Sequence, residues 1–206
     1  MKNNFNITDN FLTEKEFRVH RDQLFDLEFP WSFNSTVVNG NEDPAKTPGG
    51  LLHLIYMPFR TPSPFYPIII PTIIKKLNAT ALWRVQANLL LRLPEPFYHQ
   101  FHSDTVYDME EDVASQWTIS ILYMNNNNGY TELEDGTKIE SVENRLVSFP
   151  SNIRHRVVTQ TDEQRRVVMN MVYLKGRKPP KPKSPFSISF ENSSKNDNDK
   201  RVTIGG

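Results

Sequence analysis

The sequence predicts an α+β fold, mainly β: a β-sandwich or jelly roll with helices packed on it. Three observations point there. Helical spacing of apolar residues is confined to the first 80 residues, the pattern switches to period 2 after Thr80, and the later half is cut by tight turns into short β-prone segments.

Taken in order, Thr8–Phe29 reads as a helix. Thr13 followed by Glu16 has capping-box spacing, and Phe17, Leu24 and Leu27 fall near helical period. Residues 30–71 hold eight prolines, which predicts a structured loop over the body instead of a long regular element. Tyr66–Asn78 reads as a short helix with Pro67 and Pro71 in its first turn. From Trp83 to Leu93 the residues alternate. Arg84, Gln86, Asn88, Leu90 and Arg92 point one way; Val85, Ala87, Leu89 and Leu91 point the other. Trp117–Met124 is β-branched and aromatic, and Asn125–Gly129 is turn-rich. Further strands are predicted at Tyr130–Leu133, Lys138–Ser141, Leu146–Phe149, His155–Thr159 and Arg165–Tyr173. No internal repeat is visible.

The chain has 206 residues, room for one domain and a tail. Lys+Arg and Asp+Glu both number 24, so bulk positive charge is not what would hold this protein on nucleic acid. The charge is unevenly spread: from Lys175 onward eight basic and three acidic residues leave the tail at +5. Pro- and Lys-rich GRKPPKPKSPF and polar ENSSKNDNDK bury too little apolar surface to offset chain entropy. A domain over 1–175 and a basic, largely disordered tail over 176–206 are therefore expected, with Phe186–Phe190 able to add an edge strand. A local role of that tail with nucleic acid or an acidic partner is open. Zero cysteines exclude disulfides, thiolate nucleophiles, iron–sulfur clusters and Cys-type zinc sites. Any metal must use His, Asp, Glu or backbone oxygen. No apolar run approaches the roughly 20 residues of a membrane helix, and the start carries no secretory leader pattern. The expected location is the cytoplasm, with no membrane partner.

Of five histidines, His102 and His155 have informative surroundings. His102 and Asp104 stand two apart, about 6.6 Å along one face of an extended segment. Ligand bonds of about 2.0–2.2 Å let one cation bridge that gap once the side chains converge. His155 follows 51 residues later, a separation that returns a jelly-roll strand beside the earlier one. Two imidazoles and a carboxylate on one face leave open positions for a co-substrate and O₂, as in non-haem Fe(II) oxygenases. On the last strand Arg166, Val168 and Asn170 share a face, so Arg166 can clamp a dicarboxylate and Asn170 can donate to it. An inward unpaired Arg is expensive and implies an anion. His99 is expected to face away from the metal, in a supporting or surface role, His53 to be structural, and His20 to be exposed on its helix. Trp31, Trp83 and Trp117 read as packing residues.

The ordered set His102-x-Asp104, Gly129-Tyr-Thr131, His155 and Arg166 resembles the 2-oxoglutarate- and Fe(II)-dependent dioxygenases. The likeness is greatest to the small prolyl-hydroxylase-like oxygenases of bacteria and their viruses. The stretches LYMNNNNGYTELEDGTKIESVENRLVSFPSNIRHRV and ITDNFLTEKEF…FPW carry it too, so it spans about Ile7 to Tyr173. The resemblance implies a double-stranded β-helix (jelly-roll, cupin-like) with N-terminal supporting helices. It implies Fe(II) on His102, Asp104 and His155, and 2-oxoglutarate paired with Arg166. Asn88, on the face of Arg84 and Gln86, becomes a candidate for the co-substrate, ahead of Thr131 and Tyr123, which read as core or turn residues. It further implies hydroxylation of a substrate such as a protein side chain, proline included, or a small molecule, with O₂ consumed and succinate formed. Two departures stand out. The family's Gly-Gly is Asn128-Gly129 here, and its Arg-x-Ser is Arg166-Val-Val168, which leaves the second co-substrate ligand open. Arg165 takes the place of Arg166 if the strand slips by one. The competing readings are a cupin-like metalloenzyme without 2-oxoglutarate and a non-catalytic jelly-roll binding protein. Neither substrate nor oligomeric state follows from the sequence.

Overall fold

The structure, a computed structural model, describes residues 5–38, 42–104 and 110–176. Among them the chain forms ten strands: β1 (Asn6–Thr8), β2 (Ser32–Asn34), β3 (Gly50–Tyr56), β4 (Ala79–Leu91), β5 (Trp117–Tyr123), β6 (Asn127–Leu133), β7 (Lys138–Ser141), β8 (Leu146–Pro150), β9 (His155–Val158) and β10 (Arg165–Lys175). Three helices accompany them, α1 (Glu14–Phe25), α2 (Tyr66–Leu77) and the single turn α3 (Glu111–Ala114). The large sheet runs β1-β8-β5-β10-β4-β3-β2 and the small one β7-β6-β9, every pairing antiparallel. Two such sheets with helices on one outer face make the expected jelly roll.

Alternation on β4 and β10 divides the molecule into two cores. Val85, Ala87 and Leu89 with Val167, Met169 and Met171 face Phe17 and Leu24 of α1 and Ile69, Ile70, Ile73 and Leu77 of α2. On the opposite face Val168 meets Ile119, Ile121 and Tyr123 of β5, and across the gap Leu133 of β6 and Ile139 of β7. Each such aliphatic side chain, fully buried, contributes roughly 1.5–3 kcal/mol, so the register that sorts the faces is strongly fixed. Residues Arg84, Gln86, Asn88 and Leu90, of opposite parity, are left facing the space between the sheets.

Local signals set the element ends. Thr13 accepts the backbone N–H of Glu16 while the Glu16 carboxylate takes the N–H of Thr13, the reciprocal cap foreseen for α1. The helix is shorter than Thr8–Phe29: its first predicted residue belongs to β1, and Leu27 lies beyond the end, wholly exposed. Asn78 closes α2 in the left-handed region at φ 53°. Pro71 stands inside α2, on its exposed side, not in the first turn. The Pro-rich stretch 30–71 is not all loop. Its proline-free run Gly50–Tyr56 pairs with β4 along most of its length, and β2 pairs with β3. No described helix is long and apolar enough to cross a membrane. The expected tail lies outside the described residues from 177 on, as does the Phe186–Phe190 segment.

Candidate metal centre

β9 recruits a further extended segment. His102 donates its backbone N–H to the carbonyl of His155 at 2.9 Å and accepts the His155 N–H at 2.8 Å. Tyr98 lies opposite Val158, held by bonds from the His99 N–H to the Val157 carbonyl and from the Thr159 N–H to the Phe97 carbonyl. This pairing brings the two predicted imidazoles together across 53 residues, with ring centroids 4.5 Å apart. Asp104, two residues on, turns to the same side. One donor atom each from His102, Asp104 and His155 lies within 4.8 Å of the other two.

The polar surroundings prepare these groups for a cation. The Nδ1 of His102 lies 3.3 Å from the carbonyl of Gln100, and that of His155 3.3 Å from the carbonyl of Ile153. A carbonyl only accepts, so Nδ1 carries a proton in both rings and Nε2 is the nitrogen each ring can offer to a cation. Asp104 gives Oδ1 to Nη2 of Arg84 at 2.6 Å, while its Oδ2 is buried and has no hydrogen-bond partner among the described residues. Burial alone would raise the Asp104 carboxyl; the charge of Arg84 and the two imidazoles outweigh it and hold it below the ordinary carboxylate range. Burial, then the neighbouring His102, pushes His155 down to about 4 against the pull of Asp104. Two imidazoles and an ionised, half-satisfied carboxylate are a donor set that fits a divalent transition metal such as Fe(II), and three protein donors leave other positions free.

These residues line one side of a cavity of about 350 Å³ between the sheets. Arg166 stands in the same cavity, 3% exposed, its Nε donating to Ser141 Oγ at 2.9 Å and its Nη2 to Thr131 Oγ1 at 3.3 Å. Tyr123 Oη donates to Thr131 Oγ1 at 2.8 Å, and the Tyr123 ring lies 5.5 Å from the guanidinium carbon. Burial pushes the Arg166 guanidinium down from its ordinary value, and no carboxylate meets it among the described residues. Asn170 lines the cavity with Oδ1 buried and unpartnered, and Asn88 lines it while accepting from Gln86 Nε2 at 2.6 Å.

Several expectations change. Arg165 does not compete with Arg166: it faces the other way, its guanidinium 4.1 Å above the Phe25 ring. Thr131 and Tyr123 are buried as expected, yet they also brace Arg166. His20 is buried, not exposed, and neither ring nitrogen has a partner among the described residues. His99 is likewise no surface residue; its Nδ1 meets the Glu42 carboxylate at 2.8 Å. His53 is structural, bonded to the carbonyl of Pro30 and the hydroxyl of Ser63. Trp83 lines the cavity as well as packing edge-on against Trp117. Of the acidic run after Asp104, residues 105–109 lie outside the described residues, and Glu110, Glu111 and Asp112 are exposed. Sequence reasoning passed over Arg84 and Ser141. For Arg84 the signal was present, since it shares the inward face with Asn88 and an inward cation requires an anion just as Arg166 does.

No family model matches the sequence, and no curated protein does. Solved structures do resemble the fold. A prolyl-4-hydroxylase from Pseudomonas putida superposes with a TM-score of 0.56 at 15% identity, covering 85% of this chain and 94% of its own. A prolyl hydroxylase from Trichoplax adhaerens, solved with a hypoxia inducible factor peptide fragment, gives 0.59 at 16% identity over 84% of both chains. A 2OG-Fe(II) oxygenase family oxidoreductase from Burkholderia pseudomallei gives 0.60 at 11% identity, over 85% of this chain and 87% of that one. The chain therefore carries the jelly-roll fold of the 2-oxoglutarate/Fe(II) oxygenases, prolyl hydroxylases among them.

Proposed function

We propose that the protein is an Fe(II)- and 2-oxoglutarate-dependent dioxygenase, with the catalytic domain in residues 1–175. The observation that carries the reading is the joint placement in one cavity of His102, Asp104 and His155 with a buried, carboxylate-free Arg166. His102 Nε2, Asp104 Oδ2 and His155 Nε2 would hold Fe(II), and Arg166 the distal carboxylate of 2-oxoglutarate, with Asn88 and Asn170 as further donors. Bound together, metal and co-substrate supply O₂ activation: 2-oxoglutarate and O₂ give succinate and CO₂, and one oxygen atom enters a substrate C–H bond as hydroxyl.

The chain's own part is geometric and electrostatic. The two backbone carbonyls fix the histidine tautomers, and Arg84 occupies Asp104 Oδ1 so that Oδ2 alone is offered to the cation. Thr131 and Ser141 hold the Arg166 fork in one orientation, pre-paying the cost of ordering it for a planar carboxylate. Ile121, Val157 and Val168 add apolar surface to the cavity wall. Conversion of 2-oxoglutarate to succinate in the presence of Fe(II) and O₂ tests the reading. His102→Ala and Asp104→Ala should each abolish it, and full turnover in both would remove the proposed ligand set.

A further inference from the structure

We infer that the primary substrate carries a single negative charge, a carboxylate, and that Arg84 receives it. The inference rests on the oxygenase reading and deepens it. Of the described residues lining the cavity, three bear fixed charge: Arg84, Asp104 and Arg166. With 2-oxoglutarate bound, Asp104 and one carboxylate of the co-substrate would offset Fe(II), and the distal carboxylate would offset Arg166. One positive charge is left over on the mostly buried Arg84 side chain, where an uncompensated charge is costly.

The surplus belongs to Arg84 by position. Arg166 lies where β10 pairs with Leu90, and Arg84 lies six residues back along β4, opposite Val172 and beside Asp104. A 2-oxoglutarate seated on Arg166 leaves Arg84 at the far end of the cavity, past the cation. One of its five N–H groups goes to Asp104, and its Nε is buried without an acceptor among the described residues. Its side chain lines the cavity and keeps 22% of its surface exposed. Ser103 and Thr36, also in the cavity lining, offer hydroxyls but no charge. A planar carboxylate, carrying one charge, matches both the flat donor fork and the size of the surplus.

The test uses the full chain loaded with Mn(II) and 2-oxoglutarate. The probes are N-acetylglycine, N-acetylalanine, N-acetylvaline and N-acetylproline, each paired with its amide, so that members of a pair differ by one charge. Apparent affinity is read from the rise in melting temperature with probe concentration. Acids should bind roughly tenfold or more tightly than their amides. Arg84→Gln should erase the preference, and Arg84→Lys, which keeps the charge, should retain most of it. Equal binding of acid and amide, binding of neither, or an acid preference that survives in Arg84→Gln would overturn the inference. Joint stabilisation of the unprobed wild type by Mn(II) and 2-oxoglutarate is recorded first. Its absence would strike the oxygenase reading itself, whereas its presence with no acid preference would strike Arg84 alone.

Discussion

Replacing Arg166 by Met should separate binding from stability. Arg166 is 3% exposed, and its guanidinium faces hydroxyls but no carboxylate among the described residues. A buried charge costs several kcal/mol after relaxation. Its two hydrogen bonds to Ser141 and Thr131 return about 1.5–3 kcal/mol each, and the Tyr123 face about 1 kcal/mol more. Cost and return nearly cancel. The metal-free, 2-oxoglutarate-free Arg166→Met protein should therefore match wild type within about 1 kcal/mol in urea unfolding, where truncating a core side chain costs about 2–5 kcal/mol. Co-substrate binding should suffer far more. Two lost charge-assisted bonds to a carboxylate amount to about 3–6 kcal/mol, or roughly 10²–10⁴ in affinity, measured by calorimetric titration of 2-oxoglutarate into the Mn(II)-loaded protein. A variant that unfolds more than about 2 kcal/mol too easily and still binds 2-oxoglutarate like wild type would refute the reasoning, because Arg166 would then be a structural residue.

Two further substitutions probe buried groups away from the metal. His20→Leu removes two ring nitrogens that burial leaves unpartnered and should stabilise the protein by about 1 kcal/mol in urea. Burial holds the His20 ring below its ordinary value, and His155 down to about 4, so each takes up its proton at lower pH in the folded state than in the unfolded chain, which protonates at about pH 6.5. Stability of the metal-free protein is accordingly full above that pH and declines as pH falls towards 4, by up to about 1.4 kcal/mol per pH unit for each histidine. Urea midpoints between pH 7 and 5 should fall less steeply in His20→Leu; an unchanged slope would count against the buried, neutral ring. Glu42→Ala strips an acceptor from the backbone N–H groups of Val37, Val38 and Gln100 and from His99 Nδ1. The carboxylate is 2% exposed, so its loss should cost about 3 kcal/mol and weaken primary-substrate binding, since Thr36, Val37 and Val38 line the cavity. Stability and KM both at wild-type values would contradict that role.

What the sequence made legible was whatever depends on period and order. The parity of Arg84-to-Leu90 and of Arg166-to-Asn170 placed both inward faces correctly, because a register slip would expose an entire apolar row. His102-x-Asp104 and His155 could be joined because an antiparallel pair brings distant residues opposite one another. Less legible were groups whose role is set by a partner far along the chain. Glu42 and His99 are 57 residues apart and Arg166 and Ser141 25 apart, and no local pattern links them. His20 occupies an ordinary polar position on a helix whose apolar stripe is sparse, so its burial follows only from how α1 packs. β3 was hidden by its neighbours, since Pro48 and Pro58 on either side suggested loop while the seven residues of the strand contain none.

The central claim, one cation and one keto diacid sharing the cavity of His102, Asp104, His155 and Arg166, is tested most directly by thermal denaturation with Mn(II), with 2-oxoglutarate, and with both. Ligands that bind only the folded state raise its melting temperature with occupancy, and two that bind each other's site support one another. The account predicts that the shift with both exceeds the sum of the separate shifts, and that this excess disappears in Asp104→Ala. Purely additive shifts, or none, would contradict it.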